Sequence, residues 1–136
     1  MSLVPRRGLL AIAAVIDVAL HANGRPVSAK TIAARHDLPP RHLEPVLQAL
    51  VRDGILKGIR GPHGGYELGR DGGRISADDI LRAANAVDEE DGADLPGSAL
   101  VNKVVRPTLA EIERTFSAAL SKIFIGDMIK RANALK

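Results

Sequence analysis

Residues 26–68 read PVSAKTIAARHDLPPRHLEPVLQALVRDGILKGIRGPHGGYEL, and the punctuation of this stretch decides the fold. Pro26-Val27 is a short extended piece, and Ser28 is a good N-cap for a helix running to about Arg35, with Ile32 and Ala33 facing inward. His36-Asp37-Leu38 makes the turn. Pro39-Pro40 then opens a third helix that runs to Asp53 and is stopped by Gly54, with Leu43, Val46, Leu47 and Leu50 as its apolar stripe. A short helix, a tight turn and a longer helix form a helix-turn-helix. Beyond it, Ile55 to Ile59 and Tyr66 to Leu68 flank the turn Arg60-Gly61-Pro62-His63-Gly64-Gly65, which predicts a β-hairpin, here a wing. Seven of the 13 glycines lie between Gly58 and Gly73. A nucleotide-cradling loop would need Gly-Lys-Ser/Thr and a following helix, and has neither here.

Upstream, Leu9 to Leu20 predicts a buried first helix closed near Asn23-Gly24. Its apolar run, Leu9 to Ile16 behind Arg6 and Arg7, resembles a signal peptide only faintly. Asp17 interrupts it, no small-residue cleavage site follows, and about 20 apolar residues are needed to span a bilayer. Downstream, Ser76-Ala77-Asp78-Asp79 predicts a capping-box start for a helix to about Ala86, and that helix start accounts for both acids. Asp88 to Gly97 is an acidic linker, read as solvated rather than metal-binding. Apolar residues then recur at Val101, Val105, Leu109 (or Thr108), Ile112, Phe116, Ala119 and Ile123, a near-heptad stripe along one long helix. Pro107 either starts this helix afresh or kinks it. The expected organisation is a winged helix-turn-helix domain over 1–87, a linker over 88–97, and a dimerisation helix with a C-terminal tail over 98–136. The fold class is mainly α with a small β-hairpin.

Composition narrows the function. Only 2% of residues are aromatic, which argues for an aliphatic helical core and against single-stranded nucleic-acid platforms. Cysteine is absent, which excludes disulfides, thiolate nucleophiles and cysteine-ligated clusters. Four histidines spread over 43 positions do not make a metal site. His21 and His36 read as ordinary surface or capping residues. Residues 1–75 hold 11 Lys/Arg against 6 Asp/Glu, a net +5, whereas 76–136 hold 8 against 10, a net −2. A basic first half suits a polyanion, although +5 is also compatible with a merely basic surface.

The order of these elements resembles the Rrf2 family of bacterial winged-helix regulators. That family includes an iron–sulfur regulator, a nitric-oxide sensor and a cysteine-metabolism repressor. The residues carrying the resemblance are Pro26-Val27-Ser28, Ile32-Ala33 and Leu43-Glu44. The wing, Arg60 to Leu68, is similar to the family's Arg-Gly-Pro-Gly-Gly-Gly-Tyr-x-Leu. Ile75-Ser76 with Asp79-Ile80, and the closing Ile123 to Ile129, also match. Three departures stand out. The sensor members' three cysteines are missing, so cluster sensing is not carried over. Pro5 and Leu10 replace the usual Thr/Ser and aromatic residues beside Arg7-Gly8. Pro45 stands inside the reading helix where the family often has Gln.

The resemblance implies that Arg60 enters the minor groove, where negative potential favours a basic side chain. Arg41, His42 and Glu44 occupy the first turn of the third helix, where recognition helices meet base edges. Arg41 suits guanine or a phosphate. Glu44 suits cytosine N4, and also stabilises a helix start without DNA. Arg7, Ser28 and Lys30 are phosphate candidates, and His63 either adds a phosphate contact or merely tolerates the turn. Val101, Val105, Leu109, Ile112, Phe116 and Ile123 are the expected dimer seam. The expectation is a cytoplasmic, homodimeric DNA-binding regulator, a repressor on a pseudo-palindromic site in double-stranded DNA. It would use no cofactor, metal or iron–sulfur cluster, catalyse no reaction, and answer to a small-molecule or protein effector. Pro45 keeps one alternative open: a winged-helix protein-interaction module that has lost DNA binding.

Overall fold

The computed structural model describes residues 3–22, 24–86 and 97–135, and the acidic linker falls mostly outside them. Six α-helices and one hairpin are present among these residues: α1 (Arg6–His21), α2 (Ala29–Arg35), α3 (Pro40–Arg52), β1 (Leu56–Ile59), β2 (Gly65–Leu68), α4 (Ala77–Asn85), α5 (Arg106–Leu120) and α6 (Ile125–Asn133). None of these helices is long and apolar enough to cross a membrane. The core is aliphatic, as the composition implies. Val15 and Val18 of α1 meet Ile32 of α2, Leu43, Val46, Leu47 and Leu50 of α3, and Ile80 of α4, all buried.

Local chemistry sets each helix end. The Ser28 hydroxyl accepts from the Thr31 amide and caps α2. The turn to α3 closes with Leu38 N–H on the Ala33 carbonyl and Asp37 N–H on that of Ala34. Asp37 takes the left-handed conformation this motif requires, at φ 55°. The end of α3 repeats the device with Gly54 in that position and Ile55 N–H on the Leu50 carbonyl. At α4, Ser76 and Asp79 form the reciprocal capping box.

The wing pairs Leu56 with Leu68, Lys57 with Glu67, Gly58 with Tyr66 and Ile59 with Gly65. It is pinned to the helix-turn-helix by Val27, whose N–H and carbonyl both bond Tyr66. A Cβ on Gly65 would come within 2.5 Å of the Val27 backbone, so only glycine lets the strand lie this close. We expect Gly65→Ala to force the wing off Val27 at a cost of about 1–3 kcal/mol. Amide exchange at Val27 and Tyr66, accelerated relative to the α1 core, is the measurement.

The C-terminal half departs from one uninterrupted helix. Residues 101–105 form a π-turn in which the Arg106 N–H reaches back to the Val101 carbonyl. The wider turn brings the chain past Pro107, whose missing N–H cannot serve a regular α-turn. The helix α5 then ends at Leu120. Ile123 therefore lies beyond it, in a loop whose backbone is tied to the start of α4: Ala77 N–H bonds the Ile123 carbonyl, and Ile125 N–H bonds the Ile75 carbonyl. After this loop α6 turns back onto α1, and Ile125 is fully buried in the winged core. Asp78 is also more than a helix-start charge. It accepts from Arg82 Nε at 2.7 Å and from Ser117 Oγ of α5, fixing how α5 leaves the domain.

Candidate nucleic-acid interface

Burial of Leu43, Val46, Leu47 and Leu50 turns the opposite side of α3 outward, so that Arg41, His42, Glu44, Pro45 and Gln48 are exposed together. Pro45 does not break the helix, which is continuous to Arg52. The donor it removes is one a regular helix would spend on the Arg41 carbonyl, and water can take that exposed carbonyl instead. The outward side chains of α3 are thereby left in place.

Beside this face stands the hairpin. Arg60 is exposed at the end of β1 and lines a cleft of about 430 Å³ with Val51 of α3 and Tyr66 of β2. Tyr66 titrates above its ordinary value, chiefly through burial of the phenol and further through the negative charge of Glu44. Glu44 therefore acts electrostatically on the wing from α3, a relation that sequence distance conceals.

On the other side of the hairpin, the tip and the start of α2 enclose a groove of about 820 Å³. Ser28 and His63 meet there, joined by Arg25, Thr31, Arg35 and His21. The Ser28 hydroxyl is engaged in its own helix, with Thr31 Oγ1 2.8 Å away. Lys30 projects from the first turn of α2 and is exposed. Arg7 stands apart from these residues. It is half-buried at the far end of α1, about 20 Å along the axis from His21.

Sequence reading missed the groove's cationic wall and its anchor. Asp17 is 4% exposed. It accepts from Arg35 Nε at 3.0 Å and Nη2 at 3.1 Å, and lies 3.0 Å from His36 Nε2. The Nδ1 of His21 bonds the Asp17 backbone carbonyl at 2.9 Å. His36 caps the end of α2, as its capping reading expects, and its ring also joins Arg35 in a tertiary clamp on Asp17 of α1, while His21 stays in the last turn of α1. The available signal was a lone acid in an otherwise apolar helix, which calls for a partner cation.

The expected dimer seam is split by the fold. Val105, Leu109 and Ile112 are exposed on α5 and its preceding turn, together with Leu100 and Val104. Val101 and Phe116 are half-buried against their own chain.

Comparison with known proteins agrees with this arrangement. The Rrf2 family, described as iron-dependent transcriptional regulators, matches residues 4–131. The regulator IscR of Xenorhabdus nematophila is 40% identical over 83 residues, which is 61% of this chain and 49% of that protein. The chain spans about half the length of the first curated relatives it matches. Among solved structures, IscR of T. potens superposes with a TM-score of 0.70 at 30% identity, covering 95% of this chain and 87% of that one. CymR of B. subtilis, titled the global cysteine regulator, does so at 0.71 with 25% identity, covering 96% and 98%.

The family description implies iron, but the donor set here does not fit a thiolate-ligated cluster. The 136 residues contain no cysteine. Among the described residues, no group of three or more His, Asp or Glu could hold a metal ion. The aliphatic helix-turn-helix, the Gly/Pro wing and the returning C-terminal helix, matched over residues 4–131, place this chain in the Rrf2 family of transcriptional regulators.

Proposed function

We propose that the protein is a homodimeric DNA-binding repressor that works without an iron–sulfur cluster and catalyses no reaction. The observation carrying this reading is the juxtaposition of two exposed surfaces. The outward face of α3 presents Arg41, His42, Glu44 and Gln48, and the hairpin holds Arg60 beside it. A helix of this kind fits the major groove while a basic wing reaches the adjacent minor groove. Lys30 and the groove holding Ser28, Arg25 and His63 would meet phosphates and set the register. Two copies joined through α5 would hold their α3 helices roughly 34 Å apart or a multiple of it, and would select a pseudo-palindromic operator. Arg7, at the other end of α1 from His21, would serve as a separate phosphate contact on the same duplex. Assembly on DNA in this way is consistent with a cytoplasmic protein. The protein-interaction alternative rests on Pro45, and the continuity of α3 through that residue supports the DNA-binding reading over it.

Selection of genomic fragments by the purified protein tests the reading directly, since a protein-interaction module would enrich no common sequence. On the selected fragment, Arg60→Ala should weaken binding by about 1–3 kcal/mol, and Lys30→Ala should reduce the salt slope by about one. Titration at several salt concentrations measures both, and wild-type behaviour in both variants would count against DNA as the partner. The protein should also purify without colour. Stoichiometric iron with an absorbance band near about 400 nm would contradict the cluster-free reading.

A further inference from the structure

A second concavity, of about 380 Å³, lies on the outer side of α1 next to the groove. Its wall is apolar, formed by Ala13, Ile16 and Leu20, and its polar end is His21, Arg35 and His36 around Asp17. We propose that this is the effector site, and that it takes a small carboxylic acid with an apolar body, bound as its monoanion. The site stands on this geometry alone. The effector role rests on the DNA-binding reading above.

The size and lining suit a small ligand, since such sites combine a mostly apolar wall with a few convergent polar groups. The polar end selects the charge. Asp17 cannot receive an amine, because Oδ1 already takes Arg35 Nη2 and Oδ2 takes Arg35 Nε and faces His36, with the side chain only 3% exposed. Arg35 spends its Nε hydrogen and one Nη2 hydrogen on Asp17, which leaves Nη1 and the second Nη2 hydrogen as charged donors on a side chain about one-third exposed. The free end of that guanidinium, Nη1–H beside the second Nη2–H, matches one carboxylate group. The carboxylate of Asp17 already offsets the Arg35 charge, so a dianion would find no second fixed cation among these lining residues. A neutral alcohol of the same shape would fill the apolar wall and forgo the charged contact.

Arg35 and His21 line both this concavity and the groove that holds Ser28 and His63. A carboxylate on the free arm of Arg35 removes that arm from a DNA phosphate and lowers the positive potential of the groove. The ligand therefore weakens DNA binding, and DNA weakens ligand binding by the same factor.

The probe is isovalerate, added to the full-length chain without DNA and followed by NMR at the methyl groups of Ile16 and Leu20. Saturable shifts are expected, with 3-methylbutan-1-ol and inorganic phosphate each binding at least about tenfold more weakly. Arg35→Lys keeps a cation on Asp17 but loses the forked spare arm, and should cost a similar factor. Ala13→Leu narrows the wall without touching the clamp, so its loss of binding decides the matter should the lysine variant not fold. Equal binding of the alcohol or of phosphate, or no saturable shift with isovalerate, overturns the site. In the second arm, saturating isovalerate should weaken binding to the protein's own selected fragment by about 5–150-fold. Isovalerate that binds yet leaves DNA affinity unchanged overturns the effector role. A protein that retains no DNA overturns that role together with the repressor reading, while the NMR arm still decides the site.

Discussion

Arg35→Ala should lower the unfolding free energy by about 3 kcal/mol, the lower end of the range for stranding a buried charge. Arg35 supplies two of the four side-chain nitrogens within 4 Å of the Asp17 carboxylate, and His36 and His21 supply one each. Removing it leaves an anion inside the core with only the imidazoles of His36 and His21 beside it, which is why the loss does not reach the top of that range. The clamp joins α1 to the first helix of the helix-turn-helix, so the damage should spread to the placement of α2. Urea unfolding with an unchanged m-value measures the effect. The double variant Asp17→Leu, Arg35→Ala removes both charges, and should recover much of the loss because an apolar side chain then occupies the buried position. A single variant that loses less than about 1 kcal/mol would show that Asp17 is solvated in a way its burial denies.

Ile112→Glu should convert the protein to a monomer and weaken binding to a two-half-site fragment by at least about a hundredfold, the avidity lost when two linked sites separate. Ile112 is 67% exposed and Leu109 51% exposed, on a helix that otherwise faces outward. In the homodimer proposed above this exposed row is the association surface, and a charge in its centre would oppose its own symmetry mate across the two-fold axis. The same exposure makes Ile112 a cleaner probe than Phe116. Phe116 is already half-buried against its own chain, and its truncation would mix folding with assembly. Sedimentation velocity reads the oligomeric state, and an unchanged far-ultraviolet circular dichroism spectrum confirms that the variant is folded. A dimer that survives Ile112→Glu would remove α5 as the two-fold contact, and with it the expected palindrome.

Residues 26–68 determined a great deal without any tertiary information, because their signals are local. Ser28 caps the helix it precedes, Gly54 ends the one it follows, and the Gly/Pro run from Arg60 to Gly65 sits between two apolar strands. The apolar stripe of α3 fixes which side is outward, and so names Arg41, His42 and Glu44 as a group. The capping box at Ser76 is local in the same sense, and its Asp79 was legible for that reason.

What only the tertiary structure decided depends on residues far apart in the chain. The partners of Asp17 from α2 and its C-terminal end, Arg35 and His36, lie 18 and 19 residues away, and no periodicity announces them. Asp78 finds Ser117 across 39 residues, so a carboxylate that reads as a helix start also sets the angle of α5. The heptad-like run through Ile123 is continuous as a pattern, but the backbone bonds from residues 75–77 capture the chain there and turn it into α6. Apolar spacing reports which residues prefer to leave water. It does not report whether they leave it against their own domain, as Ile125 does, or remain exposed, as Ile112 does. That choice belongs to the packing, because burial energy is non-directional and only the fold supplies the direction.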